Sequence, residues 1–521
     1  MNIWLQFSDA AKYADIARNI VNGKGFVSSF SFFREDLFNY TGQYFSGSSV
    51  PKLYPYLLSI FFRFFGVNDP SVLLLSWISF ILVLIVGYLF ARKLFGKLAA
   101  LIFLLSLAFY INLIEFAHTG ASEMFFILEL LMSFYLITFK DMRIQAGGLI
   151  VSLLMYFTRP QAILFMIPVF FYFVIRNFSF KRAFQIFTIL LVGFLLFDNL
   201  YFKQVNKRSV LYPIVVRGME ASMFYYPGEG TSNRLRGGSV IPLQSVEIAK
   251  KTFYNMYNFY RLIPNYMSPY LFVFFVLSLF WWNKDKVENR LKLSILLMLL
   301  VIYLTTAVTI PLLRYLIPVV PFIYLFAVER LVWIVRQIFN LQFSIFKKII
   351  IFNFKITKQK LVILTSLFLI LFLAVGQTLG MIFLDSRFER KTHNIGKPPV
   401  YVTLSKILKE NTDPDDVIVT NLDTWGSWYG ERQTVWFPLE PEMLIPPDGV
   451  EKPFDAIYLT NYLIDDENYY MGEGWKQIFA DPNNIENEYL NNTYELVGEF
   501  NIGPSETYEK TEGRAILLVR K

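Results

Sequence analysis

Residues 70–93 read PSVLLLSWISFILVLIVGYLFARK, a long apolar run that ends in two basic side chains. About 20 apolar residues are enough for a helix to cross the hydrocarbon core of a bilayer, and basic residues collect on its cytoplasmic side. This stretch therefore predicts a membrane-spanning helix whose carboxyl end, at Arg92 and Lys93, faces the cytoplasm.

Similar runs recur along the chain after this one, in a chain that is 55% hydrophobic with a mean hydropathy of +0.43. We predict ten spans, at about 70–93, 97–116, 121–139, 145–158, 160–176, 183–203, 266–282, 291–310, 313–333 and 360–383. Every second connection is basic, and the positive-inside rule places these five connections in the cytoplasm. Their basic side chains are Arg92, Lys93 and Lys97; Lys140 and Arg143; Arg176, Lys181 and Arg182; Lys284, Lys286, Arg290 and Lys292; and Arg336, Lys347, Lys348, Lys355, Lys358 and Lys360. The outer side then holds residues 1–69, the loop 204–262 and the tail from 384.

The apolar stretch 144–175 is interpreted as two spans that meet at Arg159. As a single helix it would be roughly 48 Å long, against a hydrocarbon core of about 30 Å. A single helix would also place the basic residues 176–182 outside. Two short spans instead bring Arg159 to the outer headgroup level, where it faces protein or water.

The net charge of +8 hides a contrast between the two parts of the chain. Residues 384–521 carry 13 Lys and Arg against 25 Asp and Glu, a net charge of −12, and the remaining residues carry a net +20. The basic balance is therefore a topology signal and gives no indication of nucleic-acid binding. The chain has no Cys and only two His, His118 and His393, which excludes thiol chemistry and argues against a histidine-rich metal site.

Two domains follow from this pattern: a transmembrane domain over 1–383, with external loops at 1–69 and 204–262, and an external α/β domain over 384–521. In the tail, a helix at about 400–411 is followed by short apolar runs separated by Asp, Asn, Pro and Gly. The predicted strands are 417–420, 434–437, 456–459, 494–500 and 515–519. The fold class is thus a mostly α, polytopic helical bundle with a small external α/β domain. Because an external segment follows Met1 without a span ahead of it, we expect that a first span is missing from the chain.

The segment SDAAKYADIARNIVNGKGF, residues 8–26, predicts a short amphipathic helix on the outer membrane surface. Ser8 or Asp9 is expected to cap it, and Gly23 and Gly25 are expected to end it. The helix places the Asp9 carboxylate at the boundary between water and lipid, so Asp9 is either a helix cap or a reactive group.

This segment resembles the first external loop of GT-C glycosyltransferases, in particular the relatives of protein O-mannosyltransferases and of the lipid A aminoarabinose transferase, families 39 and 83. Further matches follow in the family's order. They are VPKLYPYLL at 50–58 with FG at 65–66, FTRP at 157–160, RYLIP at 314–318, and ILKENTDPDDV at 407–417. The ordered set is more specific than any single piece and covers residue 8 to about 440.

The resemblance implies an enzyme of the hexosyl- or pentosyltransferase class. Such an enzyme takes a sugar from a polyprenyl phosphate carrier and transfers it to a protein, lipid or glycan acceptor outside the plasma membrane. It also implies that Asp9 acts on the acceptor as general base. Ala10 stands where family members often have Glu.

The other candidates are charged residues at the outer ends of the predicted helices. Lys52, Arg159 and Arg314 would stabilise the negative charge on the donor phosphate, and Glu123 would be a second acid or would orient a substrate. Tyr13, Asp15 and His118 are further candidates. Each has a structural alternative: an interfacial anchor or an ion pair for the cations, a helix dipole contact for Glu123, and a satisfied interfacial polar group for His118. A divalent metal is possible but is not implied.

Two other functions remain open at this point. A transporter or flippase of lipid-linked sugars would also need basic residues near the headgroups, but it predicts mid-span charges and two related halves. A non-catalytic subunit would keep the fold without activity, and Ala10 keeps that alternative open.

Overall fold

The computed structural model of the chain describes residues 4–39, 44–47, 50–202, 245–282, 286–309, 311–345, 358–370, 372, 396–438, 440–447, 454–462, 472–507 and 512–521. The described part is mostly helical. Its first helices are α1 Ser8–Val21, α2 Leu53–Phe65, α3 Asp69–Phe95, α4 Lys97–Ala108, α5 Ile111–Thr119, α6 Glu123–Ile137, α7 Met142–Thr158, α8 Ala162–Asn177 and α9 Phe180–Phe197. Its later helices are α10 Ser245–Arg261, α11 Ile263–Tyr266, α12 Pro269–Leu279, α13 Lys286–Val308, α14 Val320–Ile345, α15 Lys358–Ile370, α16 Val400–Glu410, α17 Asp423–Trp428, α18 Glu473–Ala480 and α19 Glu488–Thr493.

Three stretches among the described residues are long and apolar enough to cross a membrane as single helices: Asp69–Phe95, Val287–Val308 and Leu313–Ile338. Shorter apolar helices accompany them, namely α2, α7, α8 and α12. The chain is therefore a multi-pass membrane protein. The number of ten spans stays a prediction, and the first part of the external loop 204–262 lies outside the described residues.

The span predicted at about 97–116 consists of two helices, α4 and α5, which meet at a bend of 55°. Together they are long and apolar enough to count as a fourth span. Backbone hydrogen bonds from Phe109 N to Leu105 O and from Tyr110 N to Leu107 O close the last turn of α4 before α5 begins. The apolar pattern continues across this break, so hydropathy alone does not reveal it.

The predicted break at Arg159 is confirmed, because α7 ends at Thr158 and α8 begins at Ala162. Pro160 cannot donate a helical hydrogen bond, and it drives the residue before it out of the helical region. Arg159 accordingly has extended backbone angles, φ −150° and ψ 132°.

Eight short strands complete the fold: β1 Val27–Ser28, β2 Phe30–Phe32, β3 Phe45–Ser46, β4 Val417–Thr420, β5 Gln433–Trp436, β6 Ala456–Thr460, β7 Tyr494–Ile502 and β8 Gly513–Arg520. The five strands predicted in the tail are all present, as is the helix at about 400–411. Six strands form one sheet in the order β2-β5-β4-β6-β8-β7, with β2, β5, β4 and β6 parallel. The edge strand β2 comes from the segment between α1 and α2, so the sheet is not built by the tail alone. A domain boundary at 383/384 stays a prediction.

The amphipathic helix predicted on the membrane surface is instead enclosed by protein. α1 packs against α2 on one side and α17 of the tail on the other, and its buried residues share one apolar cluster with Trp425 and Trp428. Residue Phe7 occupies the N-cap position and no side chain caps the helix, so the predicted cap by Ser8 or Asp9 was wrong.

Candidate active site

Asp9 and Arg314 form an ion pair between α1 and the segment before α14. The Arg314 Nη1 atom lies 3.4 Å from Asp9 Oδ2. Both side chains are partly exposed, 30% for Arg314 and 38% for Asp9. An ion pair that keeps contact with solvent is held weakly, so an incoming anion can compete for the guanidinium. Arg314 Nε is buried without a hydrogen-bond partner.

Glu123 and Arg159 form a second ion pair that is buried. Glu123 is the first residue of α6, Arg159 follows α7, and their Oε1 and Nη1 atoms are 2.6 Å apart. The same Nη1 donates to Ser122 Oγ at 3.3 Å. Glu123 Oε2 has no hydrogen-bond partner and is buried. A buried carboxylate oxygen without a partner is unusual in proteins and marks a place where a ligand group or water would be stabilised.

Tyr13 connects the two ion pairs. It lies one helical turn after Asp9 on α1, its hydroxyl is hydrogen-bonded to Ser122, and its ring meets Tyr54 edge-on at 5.4 Å. Burial, aided by the Asp9 carboxylate, raises the pKa of Tyr13 to about 12. The phenol therefore stays protonated at neutral pH and serves as a hydrogen-bond group between the pairs.

The structure thus brings together five of the residues predicted from the sequence: Asp9, Tyr13, Glu123, Arg159 and Arg314. Arg159 also lies within electrostatic range of both Arg314 and Asp9. These residues come from four separate stretches of the chain, so their convergence is a product of the fold. Together they offer two guanidinium groups, two carboxylates and a protonated phenol at one end of the bundle.

Three other candidates lie outside this cluster. Lys52 is exposed, with Nζ 5.9 Å from the Phe26 ring. Asp15 is fully buried and accepts from Ser29 N at 2.7 Å and from Arg18 Nη2 at 2.8 Å, contacts that hold α1 to the loop after it. His118 Nδ1 donates to the Ile114 carbonyl within its own helix, at 2.7 Å.

Sequence analysis missed Asp423, which the tail places beside the amino end of α1. Ser8 is hydrogen-bonded to the Asp423 carboxylate, and Asp9 and Lys12 are charged neighbours of that carboxylate. Burial raises the pKa of Asp423 to about 6, and Asp9 adds to this effect. More than 400 residues separate the two aspartates in the sequence, and no local motif signals their proximity.

The sequence analysis left a divalent metal possible, and the described residues add no observation in favour of one. Over the described ranges, no group of three or more His, Asp or Glu side chains is placed to hold a metal ion.

Comparisons with known proteins agree with this architecture. Residues 49–202 match the family model described as dolichyl-phosphate-mannose-protein mannosyltransferase. The solved structure of ArnT from Cupriavidus metallidurans in the apo state is similar, with a TM-score of 0.51 and 13% identity, over 99% of this chain and 93% of ArnT. The archaeal oligosaccharyltransferase AglB from Archaeoglobus fulgidus, in complex with an inhibitory peptide and a dolichol-phosphate, gives a TM-score of 0.52 and 13% identity, over 97% of this chain and 70% of AglB.

The chain has the GT-C fold. ArnT and AglB are GT-C glycosyltransferases, and the predicted resemblance to this superfamily is confirmed at the level of fold. No protein of curated function matches the sequence. Because GT-C folds carry transferases with different donors and acceptors, the activity has to be argued from the site.

Proposed function

We propose that the chain is a membrane glycosyltransferase that moves a hexosyl or pentosyl group from a polyprenyl phosphate carrier to an acceptor outside the plasma membrane. The observation that carries this proposal is the pairing of Asp9 with Arg314 beside the buried pair of Glu123 and Arg159. A base with two cations close to it matches the needs of sugar transfer from a lipid phosphate. The dolichol-phosphate held by AglB is a carrier of this chemical class.

The reaction begins with an acceptor hydroxyl that is hydrogen-bonded to Asp9. Asp9 takes its proton while the hydroxyl oxygen forms a bond to the anomeric carbon of the sugar. The bond between that carbon and the phosphate oxygen breaks, and its electron pair goes to the phosphate. Arg314 and Arg159 stabilise the charge that develops there, an effect worth a few kcal/mol for each fixed donor in a site that excludes water.

Donor binding and base activation are coupled in this proposal. Without a donor, Arg314 is paired with Asp9. A donor phosphate draws the Arg314 guanidinium toward itself and thereby weakens its hold on Asp9. Since a carboxylate that loses its cationic partner is a stronger base, Asp9 would become reactive only when the donor is present.

Glu123 has a supporting role. It holds Arg159 in place through Oε1, and its unpartnered Oε2 is available to a hydroxyl of the donor sugar. Lys52 stays a candidate for the donor phosphate at the headgroup layer.

Transfer by the purified chain in proteoliposomes tests this function. Radiolabelled undecaprenyl and dolichyl phosphate sugars are offered as donors with an envelope extract as acceptor, and nucleotide sugars serve as control donors. We expect label in the acceptor with a polyprenyl phosphate donor only. Movement of a fluorescent lipid-linked sugar across the bilayer without its consumption would instead support a transporter or flippase. A chain that neither transfers nor transports would support a non-catalytic subunit.

A further inference from the structure

The tail contributes a strained aspartate to the mouth of the candidate site. Asp423 has a φ of 51°, one of two non-glycine residues with positive φ among those that the structure describes. A side chain in this backbone region is strained by about 1 to 3 kcal/mol, and such residues concentrate at functional sites. The surrounding contacts hold it there: Thr424 N donates to Asp423 Oδ1 at 2.7 Å, and Thr424 Oγ1 donates to the Ser8 carbonyl at 2.6 Å.

We propose that Asp423 is the acceptor-binding carboxylate of this enzyme: it accepts a hydrogen bond from the acceptor and holds the attacking hydroxyl over Asp9. The inference rests on the proposed glycosyltransferase function. Asp423 as a residue is of intermediate burial, so part of it can be reached by a ligand. It belongs to the tail, which packs onto α1 beside Asp9, whereas the carrier lipid would enter from the membrane.

The charged side chains favour different positions for the acceptor and for the donor phosphate. A phosphate would be repelled by two adjacent carboxylates, Asp9 and Asp423, and attracted by the guanidinium groups of Arg159 and Arg314. An acceptor hydroxyl or amine is a hydrogen-bond donor and is stabilised by the same carboxylates. The unpartnered Oε2 of buried Glu123 is a separate sign that the site is built to hold a ligand.

A purely structural role for Asp423 makes a different prediction. Its contacts with Thr424 N and Ser8 can be made by the side-chain oxygen of Asn, a residue that also tolerates positive φ well. Asp423→Asn therefore preserves a structural role but removes the charge that the acceptor would use. Asp423→Gly removes the side chain without backbone strain, and Asp416→Asn is a matched control in a distant turn of the tail.

The test measures KM for the acceptor and for the donor with the wild type and these three variants. The donor is the polyprenyl phosphate sugar that the wild type consumes, and the acceptor is the protein, lipid or glycan fraction that it labels. We expect Asp423→Asn and Asp423→Gly to raise the acceptor KM about 10-fold or more, as loss of a charge-assisted hydrogen bond predicts, with the donor KM unchanged. Asp416→Asn should match the wild type in both constants.

The pH dependence of the acceptor KM gives a second readout. Because burial raises the pKa of Asp423 to about 6, the wild-type acceptor KM should rise as the pH falls through 6 and the carboxylate becomes protonated. The charged groups that face Asp423 are Asp9 and Lys12 of α1. Asp423→Asn should lose this step in the acceptor KM.

Three results would overturn the inference. An unchanged acceptor KM in Asp423→Asn would leave Asp423 as a structural tie between α17 and α1. Equal increases in the acceptor and donor KM, with a lower Tm, would show that it acts through the fold. Absence of transfer by the wild type would contradict the proposed function itself, and the inference would fall with it.

Discussion

At the scale of single residues, the two ion pairs of the site differ in exposure and therefore in what they can do. The pair of Asp9 and Arg314 is open to solvent, so it adds little to stability and can be exchanged for a ligand. The pair of Glu123 and Arg159 is desolvated, so removal of either partner leaves an uncompensated buried charge.

Arg314→Ala should raise the donor KM about 10-fold or more and leave Tm nearly unchanged. The variant loses a phosphate contact, while the partly exposed partner Asp9 can be solvated by water. Donor titration and thermal unfolding in detergent check the two parts of this prediction. Arg34→Ala, which removes an exposed guanidinium paired with Asp36, is the control. A Tm loss in Arg314→Ala without any change in donor KM would assign Arg314 to the structure alone.

Arg159→Met should lower the free energy of unfolding strongly, by about 3 to 5 kcal/mol, because it leaves the buried Glu123 carboxylate without its cationic partner. The double variant Glu123→Gln with Arg159→Met should recover part of this loss, since no buried charge remains. Activity should stay low in both, because the fixed cation is missing. Denaturation followed with a double-mutant cycle measures the coupling. Additive effects would show that the two side chains do not form a coupled pair.

At the scale of elements, close helix packing holds the site together. Glu123 is the first residue of α6, and Arg159 follows the last residue of α7. The distance between these residues therefore depends on how closely the two helices approach. Gly148 of α7 is the point of contact: a Cβ placed there would lie 2.8 Å from the Ser133 carbonyl oxygen. Small residues at such positions allow transmembrane helices to pack closely.

Gly148→Ala should push α6 and α7 apart and destabilise the protein by about 1 to 3 kcal/mol, as overpacking commonly does. Gly147→Ala is a matched control in the same helix, since the nearest atom to its Cβ would be 3.9 Å away. Unfolding midpoints of the two variants give the comparison. Equal Tm values would contradict the close packing.

Much of the secondary structure could be predicted from the sequence. Long apolar runs and Pro160 give α3, α7 and α8 directly, and alternating short runs give the strands of the tail. The bend between α4 and α5 could not be predicted because the apolar run continues across it. The burial of α1 was also missed, because its second covering surface, α17, lies more than 400 residues away.

The same limit applies to the site. Arg159, Glu123 and Arg314 were found from the sequence because each stands at the outer end of a predicted helix. Asp9 was found because its segment resembles the first external loop of GT-C glycosyltransferases. Asp423 was not found, because its neighbours come from the packing of the tail onto the first external segment.

At the scale of the whole molecule, the tail is fixed to the membrane part by polar contacts around Asp69. Trp428 Nε1 and Tyr429 OH donate to the two oxygens of this buried carboxylate, each at 2.7 Å. Arg18 of α1 donates to the carbonyls of Ser427 and Trp428. Strand β2 adds a direct link between the first external loop and the sheet. The position of α17 over Asp9 depends on these contacts.

Trp428→Phe combined with Tyr429→Phe should loosen α17 and reduce transfer. The change leaves the Asp69 carboxylate buried without its two donors, at a cost of about 1 to 3 kcal/mol or more for a charged group. Hydrogen–deuterium exchange over residues 423–430 should increase, with Lys476→Ala on the exposed side of the tail as control. Exchange unchanged from the wild type would mean that Asp69 does not hold the tail in place.

The central claim is that Asp9 is the base of a sugar transfer from a polyprenyl phosphate, and kcat of Asp9→Asn tests it most directly. Asn keeps the size of the side chain but cannot accept the proton, so kcat at saturating donor and acceptor should fall about 100- to 10,000-fold with Tm close to the wild type. Asp36→Asn, in the same external segment, should keep full activity. A kcat of Asp9→Asn equal to that of the wild type would contradict the account and remove Asp9 from the mechanism.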